Sequence, residues 1–338
     1  MKEQNLPTKV EISYKTVVFT VGFLICLWFL VKIRSIIILI FLSIILVSAL
    51  SRPVEWLVAK KIPRILAQII IYILIIILFA FTIGTIVPLL VSQTTEFVSR
   101  TPQIFENVNN FLLFNNVPVQ DVSSIISKQA QQFAGDIFSI SSAIISSVVL
   151  IITVFVLTFY LLLEWKIFAR MFATAFSPKH EKRVLNIISK VQDGLGNWVR
   201  AQLTLSITVG VLIFTGLRIL SIPYALPLAL IAGILEIVPI VGPIIAAIPA
   251  ILVGLTISPV IALAAAALFV IIQQMENHLI VPVLMSKVVG LQPPIVIIGL
   301  LIGTKLYGVA GAFLAVPVIV VIKILIKELL SEDTAGEI

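Results

Sequence analysis

"PLALIAGILEIVPIVGPIIAAIP", residues 227–249, sets one carboxylate, Glu236, among apolar residues, four prolines and two glycines. A membrane span needs about 20 consecutive apolar residues. This tract is broken in its middle, and its halves are about 10 to 15 residues, roughly 15 to 22 Å at 1.5 Å per residue. Each half is short of a hydrocarbon core of about 30 Å. The tract therefore reads as a helical hairpin that enters the membrane and turns back, with Pro239, Gly242 and Pro243 making the turn. A second tract has the same grammar: "PIVIIGLLIGTKLYGVAGAFLAVP", residues 294–317. It starts with proline, reaches a glycine and then a charge, Lys305, and turns through Gly303, Gly308 and Gly311 before a second proline.

The rest of the chain supports a membrane setting. Of 338 residues 60% are hydrophobic and 12% charged, and mean hydropathy is +1.20. Water-soluble chains are about half apolar and about a quarter charged. The formal net charge is +7, first a sign of topology, because Lys and Arg collect on cytoplasmic loops. No basic cluster sits on a polar, aromatic-bearing domain, so nucleic acid is a poor partner. The one cysteine, Cys26, makes no internal disulfide and no cysteine-based metal site.

Further apolar runs cover Val17–Val31, Ile36–Leu50, Ile65–Val91, Ile144–Leu163, Leu203–Leu220 and Val260–Ile272. Residues 51–64 and 164–200 are rich in Lys and Arg, whereas 92–142 has only Arg100 and Lys128 against four acidic residues. The first two segments are expected inside and the third outside, with both termini cytoplasmic. From Val122 to Ile144 apolar residues recur at helical spacing, which predicts an amphipathic extracytoplasmic helix. The expected fold is an all-α polytopic membrane protein of about seven to eight membrane segments. Counted from an inside N-terminus, the two hairpins enter from opposite faces, the mark of an inverted repeat framing a midplane site.

Between Ala201 and Ile322 only Arg218, Glu236, Glu276, Lys287 and Lys305 are charged. Glu236 costs at least about 2.5 kcal/mol at a helix centre, so it must be hydrated, paired or protonated. It reads either as a proton or cation site, with Lys305 as an alternative partner, or as an anchor for backbone N–H groups at the hairpin tip. "IIQQMENHLIVP", residues 271–282, adds Gln273, Glu276, Asn277 and His278 before Pro282. Spacings of three and four put Gln273, Glu276 and Asn277 on one helix face, a polar lining beside the hairpins or a helix end in the headgroup zone. Enzyme signatures are missing: no His-Glu-x-x-His, no Gly-x-Ser-x-Gly and no Gly-x-x-x-x-Gly-Lys-Ser/Thr. No cofactor or metal is expected, beyond H⁺ or Na⁺ as a coupling ion.

Several stretches together resemble the autoinducer-2 exporter family of bacterial and archaeal membrane proteins. They are "PLALIAGILEIVPIVGPIIAAIPAIL", "QQMENHLIVPVLMSKVVGLQPPIVIIGLLIGTKLYGVAGAFLAVPVIVVIK" and "GNWVRAQLTLSI". The resemblance covers about residues 17 to 327. It implies secondary export of a small polar molecule, autoinducer-2 in some members and Na⁺(Li⁺)/H⁺ antiport in others, by ring-like pentamers in the cytoplasmic membrane. Glu236, Pro239, Gly242 and Pro243 fit the family's hairpin motif, and Gln273, Glu276, Asn277 and Pro282 its Gln-x-x-Glu-Asn…Pro motif. Gly303, Gly308 and Gly311 fit its closing glycine-rich repeat, and Arg200 and Gln202 its Arg-x-Gln. Lys305 departs from the small residue common at its place. The division that follows is 1–91 membrane helices, 92–142 outer amphipathic segment, 143–200 long helix and basic linker, 201–327 transport core and 328–338 tail. Against transport stands a non-transporting membrane scaffold, which has no need of midplane polarity.

Overall fold

The computed structural model describes residues 14–85, 88, 92, 148–176, 180–239, 241–281 and 292–330. These residues form helices, with no strand among them. The outer segment expected over 92–142, Pro282, and most of the C-terminal tail lie outside the described residues.

Ten helices follow in order: α1 (Tyr14–Lys32), α2 (Arg34–Ala59), α3 (Arg64–Thr85), α4 (Val148–Leu163), α5 (Trp165–Phe176), α6 (Glu181–Ile219), α7 (Ala225–Leu235), α8 (Val241–Ile257), α9 (Pro259–Met275) and α10 (Pro293–Leu330). A π-helical turn (Glu276–Ile280) extends α9. By length and composition five of the described helices could cross a membrane, or six with α4 and α5 taken as one span bent by 82°. Their outer faces carry large apolar side chains, such as Phe19 at 74% and Leu263 at 72% exposure, which suits lipid rather than water.

α2 extends beyond the apolar run Ile36–Leu50, through Pro53 to Ala59. Beyond the apolar run Arg52 meets Asp193 of α6 at 3.7 Å, and Gln192 Nε2 donates to Ser51 Oγ at 2.9 Å. α6 is a single 39-residue helix across residue 200. Its polar first half also holds the end of α10, through Lys190 and Glu328 at 2.7 Å and the Arg183 guanidinium donating to Glu328 O at 2.9 Å. The ends of α2 and α10 and the start of α6 therefore share one basic end of the molecule.

Between helices in lipid the hydrophobic effect gives little, so close approach of backbones over small residues must hold them. The main core does this. Gly210 and Gly233 face each other where α6 crosses α7, and a Cβ on Gly233 would stand 2.9 Å from Ser206 O. Ala246 and Ala250 of α8 are fully buried against Leu228 and Ala232 of α7. Gly254 of α8 lies against Ala262 of α9, where Ser258 caps α9 by accepting from Ile261 N at 3.2 Å. Pro259 follows at the first helical position, where its missing N–H is harmless.

Both broken tracts fold back. α7 and α8 are the arms of the first hairpin, joined through Glu236–Pro239. The turn is one step earlier than the sequence suggests. Gly242 and Pro243 already lie in the first turn of α8, where Gly242 N donates to Val238 O at 2.9 Å. Gly242 is there for contact: a Cβ would strike Leu235 O. α10 reverses at Tyr307 and Gly308 (φ 58°, ψ −136°). Gly303 and Gly311 then press backbone on backbone, and Gly299 meets Ile319 and Ala315. In a straight helix residues 303 and 311 would be about 12 Å apart at 1.5 Å each. The first hairpin's tip touches the second, with Val238 packed against Leu300, Ala312 and Ala315.

Candidate functional site

Chain reversal at Glu236–Pro239 drops the Glu236 side chain inward, where its relative exposure is 0%. The residue ends α7, its N–H donating to Ala232 O at 2.9 Å. Its carbonyl accepts from the buried Gln202 Nε2 of α6 at 2.8 Å, so α6 clamps the tip through the backbone and leaves the carboxyl free to point elsewhere.

That carboxyl faces Glu276, which is 4% exposed and opens the π-turn after α9. Both carboxyls line the same small pocket. Neither oxygen of Glu236 receives an N–H or O–H donor from any described residue. Glu276 is steadied by Gln273, whose Nε2 donates to its Oε2 at 3.2 Å. A small cavity of about 10 Å³ lies between them, walled by Val209, Ile213, Ala232, Pro243, Phe269 and Ile272. This is the room one water needs. Apart from Gln273 the wall is apolar, which makes the pair expensive unless each acidic oxygen has a partner. Two carboxyls that line one water-sized space can offer their oxygens to a proton or to a small cation.

Among the sequence candidates, the structure brings together Glu236, Glu276, Gln273 and Gln202, with Pro243 in the wall. Pro239 shapes the tip, while Gly303 and Gly311 close the second hairpin. Three candidates are placed elsewhere. Asn277 is exposed rather than on the face of Gln273. Residues three and four after Gln273 lie on opposite flanks of it; Glu276 continues the buried row of Ala265, Phe269 and Ile272, and Asn277 falls on the outer flank. Lys305 is also exposed and does not line the pocket; Glu276 occupies the place expected for it beside Glu236. Arg200 turns along its own helix, donating to Asn197 Oδ1. The hairpin-anchor role expected for Glu236 as an alternative is not seen among the described residues, since its carboxyl caps no backbone N–H.

Ser206 was missed. It sits one turn after Gln202 on the face toward α7, is 8% exposed, and its hydroxyl has no hydrogen-bond partner among the described residues. The spacing Gln202, Ser206, Gly210 within an apolar run was the available signal. Replacing Gln202 with leucine strands the Glu236 carbonyl and should cost about 1 to 3 kcal/mol, read as a lower thermal unfolding midpoint in detergent. Ser206→Ala should stay within about 0.5 kcal/mol of the parent, because no bond is lost.

A sequence model described as AI-2E family transporter matches residues 17–331. The chain is similar to the candidate transport protein YueF of Bacillus subtilis, 30% identical over 80% of this chain and 78% of the relative. It is also similar to YrrI of the same organism, named in the same way, at 28% identity over 91% of both chains. A candidate transport protein of Mycobacterium tuberculosis, MT0215, is 24% identical over 91% of this chain and 86% of its own length. Apolar helices, two closed hairpins and this match over nearly the whole chain agree: the chain belongs to the AI-2E transporter family and is a multi-pass membrane protein with a role in transport.

Proposed function

We propose that the protein is a secondary transporter that exports a small polar molecule, of the autoinducer-2 type, across the cytoplasmic membrane, and that the Glu236–Glu276 pair couples this to an ion. The observation that carries the reading is the buried carboxyl pair at the tip of a hairpin, with no other partner for Glu236 among the described residues. Ionisable groups at such depth generally mark ion or substrate pathways. The cavity holds about one water, so a solute passes only when the tip of the first hairpin moves away from α9. Proton transfer on or off the pair is a local charge change suited to bias that movement.

The test is transport in proteoliposomes across a pH series, comparing the parent with Glu236→Gln. Glutamine keeps the shape but cannot release a proton. The expected result is folded protein whose transport no longer responds to pH. An unchanged pH response would remove Glu236 from the coupling step.

A second reading is Na⁺(Li⁺)/H⁺ antiport. It is favoured by the same geometry, because two carboxylates and the Gln273 side chain offer oxygens to a cation around a water-sized space. Na⁺ and Li⁺ pulses on everted vesicles carrying a pH-sensitive dye separate the two. A cation-dependent pH change without any exported solute would favour antiport.

A further inference from the structure

At the basic end, well away from the carboxyl pair, the chain makes a second cavity. α4 carries no charged residue, and α5 leaves it at 82°. α5 is amphipathic: Ala169 and Ala173 are buried, Lys166 and Arg170 lie on the adjoining flank, and Ile167 and Met171 are exposed beyond them. A helix bent away from a span, with exposed apolar residues beside basic ones, lies in the plane of the membrane surface. Trp165 begins it and Trp56 is exposed nearby under the Lys60 ammonium, 3.5 Å from the ring centroid. Tryptophan marks the headgroup level.

Between α5 and the ends of α2, α3 and α6 is a cleft of about 350 Å³. Three cations line it, Arg64, Lys166 and Arg170, against one carboxylate, Glu55. Arg170 also stands 3.9 Å from Glu181, but that pair is exposed and such pairs are worth little. The Arg64 Nη2 donates to Leu162 O at 3.0 Å, which fixes the guanidinium at the mouth of the cleft with other donors to spare. Arg64 is also the first residue of α3, so the positive end of a helix dipole adds to the field. Ser189 contributes a hydroxyl to the wall.

We propose that this cleft binds the phosphate headgroup of an anionic phospholipid, whose acyl chains lie against the exposed apolar side of α5. Basic clefts between membrane helices at the headgroup level are suited to such lipids. The volume fits a glycerol phosphate, the charge fits an anion, and α5 places the opening where lipid headgroups are.

The experiment is native mass spectrometry of the full chain in an uncharged detergent, titrated with phosphatidylglycerol or phosphatidylcholine. Saturable binding of phosphatidylglycerol is expected, well above that of phosphatidylcholine. The double variant Lys166→Gln/Arg170→Gln should weaken it about 25-fold, at roughly fivefold per basic side chain near a membrane surface. The charge-matched control Lys32→Gln/Lys305→Gln should stay within about twofold. Should the double variant fail to fold, Lys166→Gln alone should show the roughly fivefold loss. Equal binding of phosphatidylcholine, an equal loss in the control, or unchanged affinity in Lys166→Gln would overturn the proposal. Displacement of the lipid by millimolar inorganic phosphate would also overturn it, making the cleft a free-phosphate site.

Discussion

Replacing Gly303 with leucine is expected to yield no correctly folded protein. Gly303 and Gly311 touch through their backbones, and even a Cβ on Gly303 would strike the Gly311 carbonyl. Extra methylenes in a packed interior cost about 1 to 3 kcal/mol when side chains can shift. Here the struck atom is backbone, held in its own helix, so the arms of the hairpin must separate instead. Separation would also open the contact of Val238 with Leu300 and Ala312, and so unseat the first hairpin. The comparison variant is Gly308→Ala at the turn itself. Nothing lies within 4 Å of a Cβ there, and the only obstacle is φ of 58°, worth about 1 to 3 kcal/mol of backbone strain. Size-exclusion profiles and thermal unfolding in detergent should show Gly303→Leu aggregated and Gly308→Ala folded but less stable. A Gly303→Leu protein with the parent's elution and midpoint would mean that α10 does not double back.

The second large effect concerns the carboxyl pair as a unit. If Glu236 and Glu276 share the coupling proton, Glu236→Gln and Glu276→Gln should each lower ion-driven transport by roughly 10- to 100-fold, within the range of coupling energies between linked sites. The double variant should be no more than about threefold worse than the weaker single, since groups that act together are strongly non-additive. Each glutamine is close to glutamate in shape, and Gln202 still holds the tip through the Glu236 backbone carbonyl, so folding should survive in all three proteins. Losses that multiply in the double variant would show two independent sites and remove the shared proton from the mechanism.

Both hairpins were legible in the chain because proline and glycine act locally. Pro239 has no N–H to give, and glycines at 303 and 311 are the residues that permit backbone contact. Glu236 was legible as an anomaly, a single charge in apolar surroundings, and Glu276 as one member of a polar cluster after an apolar run. Their meeting was not, since thirty-nine positions and two helices intervene. Local rules also misplaced particular residues. Spacing by four put Asn277 beside Gln273, but only the flank that Glu276 shares with Phe269 and Ile272 is buried, and Asn277 lies on the other. Likeness of place in two tracts made Lys305 an alternative partner for Glu236, yet it is exposed. The apolar run stops at Leu50, but α2 continues to Ala59, and its polar extension meets α6 at Ser51 and Arg52.

By itself the sequence determined the solvent, the helices and the places where they break. Those follow from apolar content over windows of about 20 residues and from the backbone chemistry of proline and glycine. Only the tertiary structure decided what the buried charges face. The partner of a carboxylate depends on how helices cross, and in lipid that is set by close contact of small residues such as Gly210 with Gly233 and Gly254 with Ala262. Those contacts, distant along the chain, turn Glu236 toward Glu276 and away from Lys305.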